Sequence, residues 1–391
     1  MGDYGPESLK LHRERNGKWE MASRFPLANR DDLSIAYTPG VAAVCDAINV
    51  DKSEAYPLTM KGNSVAIVSD GSAVLGLGNI GPEAALPVME GKAILFKEFA
   101  GIDGVPLVIR GQRKDDIIAT VKAIAPGFGG INLEDIAGPK CFEIEEALQD
   151  IGIPVMHDDQ HGTAVVLLAA LFNSAKVLGK RVEDMTAVVS GAGAAGTAIT
   201  KLLRCVGQDP GVCVSVKDVF VCDKEGIISR HRTDLDAHKL RLLNYTNRED
   251  RTGDLTSALN GADIFIGVSV GNVMNEAHVK AMCDDPIILA MANPIPEIMP
   301  EKAKAAGAAI VGTGRSDFPN QVNNVLAFPG IFRGALDAKA KRITEPMKIA
   351  AAHALADAVP NPTADMILPD PLDRSIAPMV AKAVAKAAAL E

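Results

Sequence analysis

The chain has 391 residues, of which 48% are hydrophobic and 23% charged, and it carries a formal net charge of −9. This length exceeds what one hydrophobic core normally holds, so it predicts two or three domains. The acidic balance and the absence of any basic run argue against nucleic acid as a partner of this protein.

The first part of the chain is polar. Residues 1–30 predict a helix followed by an arm. Pro39 and Gly40 then fix a turn, and a helix begins at Val41. Tyr37 lies just before this turn. Taken alone, a tyrosine in a loop is a packing residue with a solvated hydroxyl, and that interpretation stands beside a functional one.

An apolar strand over residues 63–69 and a short strand over residues 73–75 precede a Gly-x-Gly-x-x-Gly loop at residues 76–81. We do not assign this loop to a dinucleotide, because Pro82 and Pro87 interrupt the long helix that should follow it. A helix over residues 88–99 carries Lys92. This lysine either extends to water or, if it is desolvated, serves as a base.

Two pairs of adjacent acids follow predicted strands. Glu134 and Asp135 form the first pair, and Asp158 and Asp159 lie between a short strand and a long apolar helix. Neighbouring residues of a strand point to opposite faces, so both acids of a pair reach one cation only where the strand ends. Carboxylate oxygens suit Mg²⁺ or Mn²⁺ rather than zinc. The alternatives are solvated acidic loops and, for the second pair, aspartates that complement a helix dipole.

The segment from Met185 onward has the features of a dinucleotide-binding turn, because a strand precedes three spaced glycines and an Ala-rich helix follows them. The first glycine makes the turn, the second admits the pyrophosphate, and the third lets the helix pack on the strand. The predicted cofactor-binding residues of this turn are Gly191, Gly193, Ala194, Ala195 and Gly196.

Asp223 ends the next predicted strand, 27 residues after Gly196 (223 − 196 = 27). An acid at this place should accept hydrogen bonds from ribose hydroxyls, which favours NAD. The spacing is longer than the usual value of about 20 residues, and a polar insert at residues 207–212 accounts for the excess. NADP stays open, because an extra phosphate would find basic side chains nearby: Lys224, Arg230, His231 and Arg232.

Strands at residues 263–269, 287–291 and 308–311 continue the alternation with helices. Asn293 and Asn324 follow in loops, where turns and caps also explain an asparagine. We therefore predict an α/β fold with two domains. Residues 1–160 form an N-terminal α/β domain, and residues 161–391 form a doubly wound parallel-sheet (Rossmann) dinucleotide-binding domain whose C-terminal helices pack back on the first domain.

Other features bound the setting of the protein. The six cysteines are scattered without a Cys-x-x-Cys pair, so the sequence indicates neither a zinc site nor a disulfide framework. The first 20 residues are polar, unlike a signal peptide. No uninterrupted apolar run reaches about 18 residues, so we expect no membrane span and a cytoplasmic protein.

A dinucleotide domain behind a carboxylate metal site, with a lysine and a tyrosine in the first domain, fits metal-assisted oxidation of a hydroxy acid. Nearly the whole chain resembles the malic enzyme family, in its short bacterial and archaeal form. The motifs that carry the resemblance are AYTPGV at 36–41, VLGLGNIG at 74–81, MEGK at 89–92, NLED at 132–135, HDDQHGT at 157–163, GAG at 191–193, ANP at 292–294, and Asn324 before FPG at 328–330.

The resemblance implies oxidative decarboxylation of (S)-malate to pyruvate and CO₂, with NAD or NADP and with Mg²⁺ or Mn²⁺. It implies that three acids hold the metal, namely Glu134, Asp135 and Asp159. It assigns catalysis to Lys92 as general base, Tyr37 as general acid and Asp158 as the hydrogen-bond partner of Lys92. The Asp158–Asp159 pair is then split between lysine and metal, and a bend at Gly162–Thr163 joins the two domains.

By the same resemblance, Asn293 and Asn324 would contact malate, with Asn293 also in the cofactor site. One position departs from the family, because Ala73 stands where the large members carry an arginine that pairs with a substrate carboxylate. The metal, the asparagines, loop N–H groups or another cation must then hold that carboxylate. A homodimer is implied, and whether Tyr37 acts in its own or the partner's site stays open.

Two other enzyme activities use the same features, namely oxaloacetate decarboxylation and hydroxy-acid dehydrogenation without loss of CO₂. A third interpretation, from another class, is a catalytically silent metabolite sensor that binds NAD without turnover. The presence of Lys92, Tyr37 and all three metal acids argues against a sensor, because binding alone does not need them.

Overall fold

The computed structural model describes residues 4–74, 76–207 and 213–390. Two sheets organise this part of the chain. The strands of the first sheet are β1 (Ser64–Ser69), β2 (Asp103–Val108), β3 (Gly130–Leu133) and β4 (Val155–His157). Those of the second are β5 (Thr186–Ser190), β6 (Asp218–Asp223), β7 (Gly226–Ile227), β8 (Ile264–Gly267), β9 (Ile287–Ala290) and β10 (Ile310–Thr313).

Helices surround both sheets. They are α1 (Gly5–Arg15), α2 (Arg30–Ala36), α3 (Val41–Val50), α4 (Ala55–Leu58), α5 (Pro82–Ala100), α6 (Lys114–Ile124), α7 (Lys140–Leu148), α8 (Asp158–Leu178), α9 (Ala194–Leu203), α10 (Ala237–Leu242), α11 (Leu255–Leu259), α12 (Glu276–Ala281), α13 (Pro300–Ala305), α14 (Phe328–Asp337), α15 (Glu345–Asp357) and α16 (Ile376–Ala388).

The first sheet is parallel throughout, with the strand order β2-β1-β3-β4. Its central strand β1 is buried along its whole length, as its Val- and Ile-rich sequence predicts for a parallel sheet covered on both faces. Because the carboxyl ends of parallel strands meet at one edge, the residues that follow β3 and β4 lie side by side. Both acid pairs come from these two strand ends.

The second sheet has the order β10-β9-β8-β5-β6-β7, and only the short β7 runs antiparallel to its neighbour. The chain reverses its direction across the sheet between β5 and β8, which is the switch point where open α/β sheets bind ligands. The predicted doubly wound sheet is therefore confirmed, with the glycine-rich turn directly after β5.

Helix α8 connects the two sheets, and its apolar residues from Ala164 to Leu171 belong to a core that includes residues of both. Asn173 fixes the C-terminal segment to it by donating to the carbonyls of Ala356 and Ile367, each at 2.9 Å. Phe96 of α5 stacks edge-on against Phe328 and Phe332 of α14. The prediction that C-terminal helices pack on the first domain is therefore confirmed.

Two predictions about helices in the first domain were wrong. Helix α5 begins at Pro82 and continues through Pro87, whereas we expected these prolines to delay it until residue 88. Pro82 occupies the first turn, where its missing N–H costs nothing, and Pro87 leaves unbonded only the carbonyl of Glu83, an exposed residue that water can solvate. Helix α8 likewise starts at Asp158 and runs through Gly162 without the predicted bend.

Smaller differences concern loops and cysteines. Residues 73–75 were expected as a strand, but Val74 forms only an isolated bridge to Gly78, and residue 75 lies outside the described residues. Most of the polar insert at 207–212 also lies outside them. Cys205 and Cys213 form a disulfide on either side of this insert, although the scattered cysteines gave no signal for one.

By length and hydropathy, two helical stretches are sufficient to cross a membrane, whereas the sequence led us to expect none. One is α8, which is mostly buried, and a core helix meets the same criterion. The other spans Arg30–Val50 near the N-terminus and has no buried part, although the turn at residues 37–40 divides it into α2 and α3. None of the residues of α1, α2 and α3 is buried in the single chain.

Candidate active site

A buried ion-pair triad lies at the carboxyl edge of the first sheet. Lys92, on the inner face of α5, places Nζ 2.7 Å from Asp158 Oδ2 and 2.8 Å from Glu134 Oε1. The ammonium also lies 4.3 Å from the ring centroid of Phe328, so an aromatic face covers its remaining side. Lys92 is only 7% exposed and does not extend to water.

The charge states in this triad follow from burial and neighbours. Burial alone lowers the pKa of Lys92, but the carboxylates of Asp158, Glu134 and Asp159 outweigh it and raise that pKa above its ordinary value. Burial raises the pKa of Asp158 to about 7 despite the neighbouring lysine. Without another cation, four carboxylates therefore share one ammonium group, and their negative charge is not balanced.

The three predicted metal ligands adjoin this triad. Asp159 Oδ2 accepts the backbone N–H of Asp135 at 2.8 Å, and Glu134 Oε2 accepts the side-chain amide of Asn132 at 2.7 Å. Asp135 Oδ2 is buried without a hydrogen-bond partner. Burial, followed by repulsion from Asp159 and Glu134, raises the pKa of Asp135 to about 8.

These acids fit a divalent cation by their chemistry. They offer carboxylate oxygens, one of them buried and unpartnered, and mutual repulsion that a cation would relieve. Across residues 4–74, 76–207 and 213–390, no three acidic, histidine or cysteine side chains are already arranged around one point as ligands. Both oxygens of Glu134 already have partners, Lys92 at Oε1 and Asn132 at Oε2, so a metal would displace or share one of these contacts.

Asn324 comes to the same group from the second half of the chain. Its side-chain amide donates to Asp158 Oδ2 at 2.7 Å, the oxygen that Lys92 also contacts. A Cβ added to Gly162 would overlap Asp158 Oδ1 and lie 3.1 Å from the Cβ of Asn324. The absence of a side chain at Gly162 is therefore what lets these two residues meet.

Asn293 lies in the loop after β9, and its carbonyl oxygen is the only atom within 4 Å of a Cβ built on Gly76 among the described residues. The loop that follows Ala73 therefore faces this asparagine. Arg315, which follows β10, donates to the carbonyl of Pro294 at 3.0 Å. It also forms a bidentate ion pair with Asp317, with hydrogen bonds of 2.6 and 2.9 Å. Sequence reasoning missed Arg315, because an arginine in a polar loop carries no local signal.

The glycine-rich turn has the geometry of a dinucleotide site. Gly191 has φ +122°, and a Cβ on Gly196 would overlap the carbonyl oxygen of Gly191, so helix and strand approach closely there. Gly193 caps α9 without a side-chain bond, and a Cβ there meets nothing within 4 Å. The first turn of α9 thus offers free N–H groups to open space, which fits a pyrophosphate.

Asp223 ends β6 as predicted, but its oxygens already have partners. Arg232 donates to both of them at 2.7 and 3.1 Å, and Lys239 donates to Oδ2 at 2.6 Å. Although burial raises the pKa of Asp223, these bonds hold it below its ordinary value. The expected hydrogen bond to a ribose hydroxyl competes with two ion pairs that the sequence did not reveal.

Tyr37 is the one predicted catalytic residue that the structure does not bring to the triad. It caps the C-terminus of α2, its side chain is 68% exposed, and within the described residues it makes no side-chain hydrogen bond.

Two buried glutamates also organise the site without having been predicted. Glu297 accepts the N–H groups of Ser269 and Ala292, and so ties together the loops after β8 and β9. Glu145 accepts the N–H of His157 and the ring N–H of His161, on either side of the aspartate pair. Both are non-local contacts, which a single sequence does not display.

Known proteins are similar to this chain in sequence and in architecture. Residues 16–114 match the family model "Malic enzyme, N-terminal domain", and residues 160–389 match "Malic enzyme, NAD binding domain". The chain is 54% identical over 386 residues to the bifunctional malic/malolactic enzyme of Bacillus subtilis, covering 98% of this chain and 92% of that protein.

The NAD-dependent malic enzyme of Geobacillus stearothermophilus is 52% identical, over 95% of this chain and 77% of its own length. Other relatives, at 45% identity, are named NADP-dependent malic enzymes. Among solved structures, the NAD-dependent enzyme of Thermotoga maritima superposes with a TM-score of 0.92 at 48% identity, covering 97% of this chain and 98% of that one.

Proposed function

The chain belongs to the malic enzyme family, which oxidatively decarboxylates malate with NAD or NADP, and from that premise we propose the roles of its own residues. The observation that carries the proposal is the buried triad of Lys92, Asp158 and Glu134, next to acids that fit a cation. A lysine enclosed by carboxylates and an aromatic ring is positioned for proton transfer rather than for solubility.

In this proposal Lys92 Nζ accepts the proton of the malate hydroxyl as hydride leaves C2. Asp158 Oδ2 holds the amine in place, and the side-chain amide of Asn324 donates to the same carboxylate oxygen. Glu134, Asp135 and Asp159 would hold Mg²⁺ or Mn²⁺, and such an ion supplies Lewis-acid polarisation of the substrate oxygens. With a cation bound at these acids, the charge of Glu134 would be drawn away from Lys92, and the pKa of that amine would therefore be lower.

The reaction is tested by steady-state assays of malate with NAD and with NADP, each with Mn²⁺ or Mg²⁺. We expect pyruvate, CO₂ and reduced cofactor in equal amounts. Oxaloacetate as the end product would indicate a dehydrogenase without decarboxylation. Lactate is measured as well, because the relative from Bacillus subtilis is named for both malic and malolactic activity.

We propose that Arg315 holds a malate carboxylate. The triad and the metal acids together carry four carboxylates and one lysine, so the site keeps a net negative charge even with a bound divalent ion. Malate is a dianion, and its carboxylates therefore need another cation nearby. Arg315 is fixed beside the Asn293–Pro294 loop, which faces the residues that follow Ala73. Arg315 donates to Asp317 through Nε and one terminal nitrogen, so other N–H groups of the guanidinium remain for a substrate.

Replacing Arg315 with Gln should raise the KM for malate roughly 10- to 100-fold, the value of a hydrogen bond to a charged group, with little change in the KM for the cofactor. Arg181→Gln is the matched control, because Arg181 also pairs with an acid two residues later, Glu183, on the surface. An unchanged malate KM in the Arg315 variant would remove this residue from the substrate site.

Tyr37 is proposed as the general acid that protonates C3 after CO₂ leaves, acting in the site of a partner chain. Its exposure in the single chain supports this, as do the exposed apolar side chains that precede it in the sequence, among them Phe25, Leu33 and Ile35. A homodimer that covers α2 and α3 would bury these side chains. Cytoplasmic location stays a prediction from the sequence.

Mixed dimers test the assignment of Tyr37. Tyr37→Phe alone should slow pyruvate formation about 10²- to 10⁴-fold, more than malate oxidation. Co-expressed with Lys92→Met chains, it should regain about one quarter of normal activity, because half of randomly formed dimers have one complete site of two. If Tyr37 serves its own chain, no mixture regains activity.

A further inference from the structure

A cleft lies beside the first turn of α8, on the side away from Lys92. It has a volume of about 870 Å³ and is bounded by α7, α9, α10 and the start of α15. None of the dinucleotide-turn residues 191–195 lines it, and neither Asp223 nor Lys92 does. It is thus separate from the triad and from the dinucleotide turn, although Glu145 and His161 border both the cleft and the aspartate pair, and it has the volume of a small-molecule pocket.

The floor of this cleft is buried and polar. Gln160 is 2% exposed, its Nε2 has no hydrogen-bond partner, and it follows Asp159 directly in α8. Lys348 is 5% exposed and donates to Glu345 at 2.6 Å and to His161 Nδ1 at 3.0 Å, which leaves one of its three N–H groups free. A buried amide without a partner costs free energy unless a ligand group completes it.

The acids of the wall are already compensated. His161 donates to Glu145 at 2.9 Å. Although burial alone raises the pKa of Glu145, His161 and Lys348 hold that pKa at about 2. Glu345 is paired with Lys348, and Glu143 with Lys114. The buried wall therefore does not repel an anion.

The rim, by contrast, carries two cations without an ion pair among the described residues, together with exposed acids. Lys201 on α9 and Arg241 on α10 are exposed, line the cleft and form no ion pair in the part of the chain that the structure describes. Both lie near His238, whose pKa is lowered by burial; Asp236 opposes that shift, and Arg241 and Lys201 add to it. Glu146 and Asp236 are exposed acids that line the same cleft, and Asp236 also accepts the backbone N–H of Lys239 as the cap of α10.

We propose that this cleft is an effector site for a small phosphorylated organic acid. Lys201 and Arg241 at the solvent-exposed rim suit a doubly charged phosphate, and the floor amide and ammonium suit a carboxylate. Because Gln160 and His161 directly follow Asp158 and Asp159 on α8, a ligand on the floor contacts the same turn that holds Lys92 and the proposed metal. Occupancy therefore alters malate turnover.

Binding is tested by calorimetric titration of the full chain with 3-phosphoglycerate and, as a probe without the carboxylate, glycerol 3-phosphate. We expect one 3-phosphoglycerate site per chain, with at least 10-fold higher affinity than for glycerol 3-phosphate. The double variant Lys201→Gln/Arg241→Gln should weaken both about 10-fold or more, whereas Gln160→Leu should remove the difference between them. Lys382→Gln, at an exposed lysine outside the cleft, should change neither.

The titration measures binding without catalysis, so its result does not depend on whether the proposed catalytic roles are correct. Absence of saturable binding of 3-phosphoglycerate, or equal affinity in the rim double variant, overturns the site. In a second experiment, the steady-state rate of malate oxidation is measured with and without saturating 3-phosphoglycerate. A shift of at least twofold in kcat/KM in the unmodified enzyme, lost in the rim double variant, supports the effector role, and an unchanged rate overturns it.

Discussion

Replacing Lys92 with Met should lower the rate of malate oxidation about 10²- to 10⁴-fold, the usual contribution of a general base. Methionine retains the length and apolar stem but removes the group that lies between Asp158 and Glu134. Decarboxylation of added oxaloacetate should fall less, because that step does not need the hydroxyl proton to be removed. Pre-steady-state absorbance of the reduced cofactor measures the first rate, and pyruvate formation from oxaloacetate measures the second.

The same substitution affects folding, since it leaves buried carboxylates without their cation, at a cost of about 3–5 kcal/mol in the free energy of unfolding. Lys97→Met is the matched control on the same helix, because Lys97 pairs with Asp103 at the exposed surface and should cost at most about 1 kcal/mol. A thermal melt separates lost stability from lost chemistry. A folded Lys92→Met enzyme with a normal hydride-transfer rate would rule out this lysine as the base.

The second large effect is expected at Asp135, where replacement with Asn should weaken Mn²⁺ binding at least about 100-fold. Asn is suited to the position, because Asp135 has φ +54° and asparagine tolerates that left-handed conformation. In the metal-free protein the same change should raise stability, since it removes one of the mutually repelling carboxylates. Calorimetric Mn²⁺ titration and metal-free melting curves measure the two opposite effects.

The pH dependence of that stability gain has a definite sign. In the folded, metal-free chain the pKa of Asp135 is about 8, against an ordinary value of 3.8. Between these values the folded state holds a proton that the unfolded state has lost, so stability falls as pH rises. The advantage of the Asn variant should therefore grow from about pH 4 to pH 8 and vanish below. Mn²⁺ affinity of the unmodified enzyme should rise over the same interval, and equal Mn²⁺ binding by the variant would remove Asp135 from the ligand set.

The fold was predictable largely because its signals are local. The apolar strand before Gly191, the spaced glycines and the Ala-rich helix fall within about 20 residues, and the structure reproduces that order. Pro87 misled the prediction for a physical reason. The usual cost of a proline inside a helix assumes an unsatisfied carbonyl, and here that carbonyl belongs to an exposed residue of the first turn.

The site was predictable only in part, because its key contacts join residues far apart in the chain. The pairing of Lys92 with Asp158 came from family resemblance and not from spacing, since 66 residues separate them. No periodicity links Asp223 to Arg232 and Lys239, or Cys205 to Cys213 across an insert. The exposure of Tyr37 in the single chain likewise depends on how the chain packs in three dimensions. The residues around Tyr37 in the sequence do not indicate that exposure.

Because α8 is continuous, it affects how the enzyme loses activity on heating. Its first turn presents Asp158 to Lys92, while its later turns form the apolar core shared by the two sheets. Asp158 therefore lies on one of the most protected helices of the molecule and not on a loop that can fray on its own. Heat should not inactivate this enzyme by loosening the aspartate first, and the loss of activity should accompany the cooperative melting of the core.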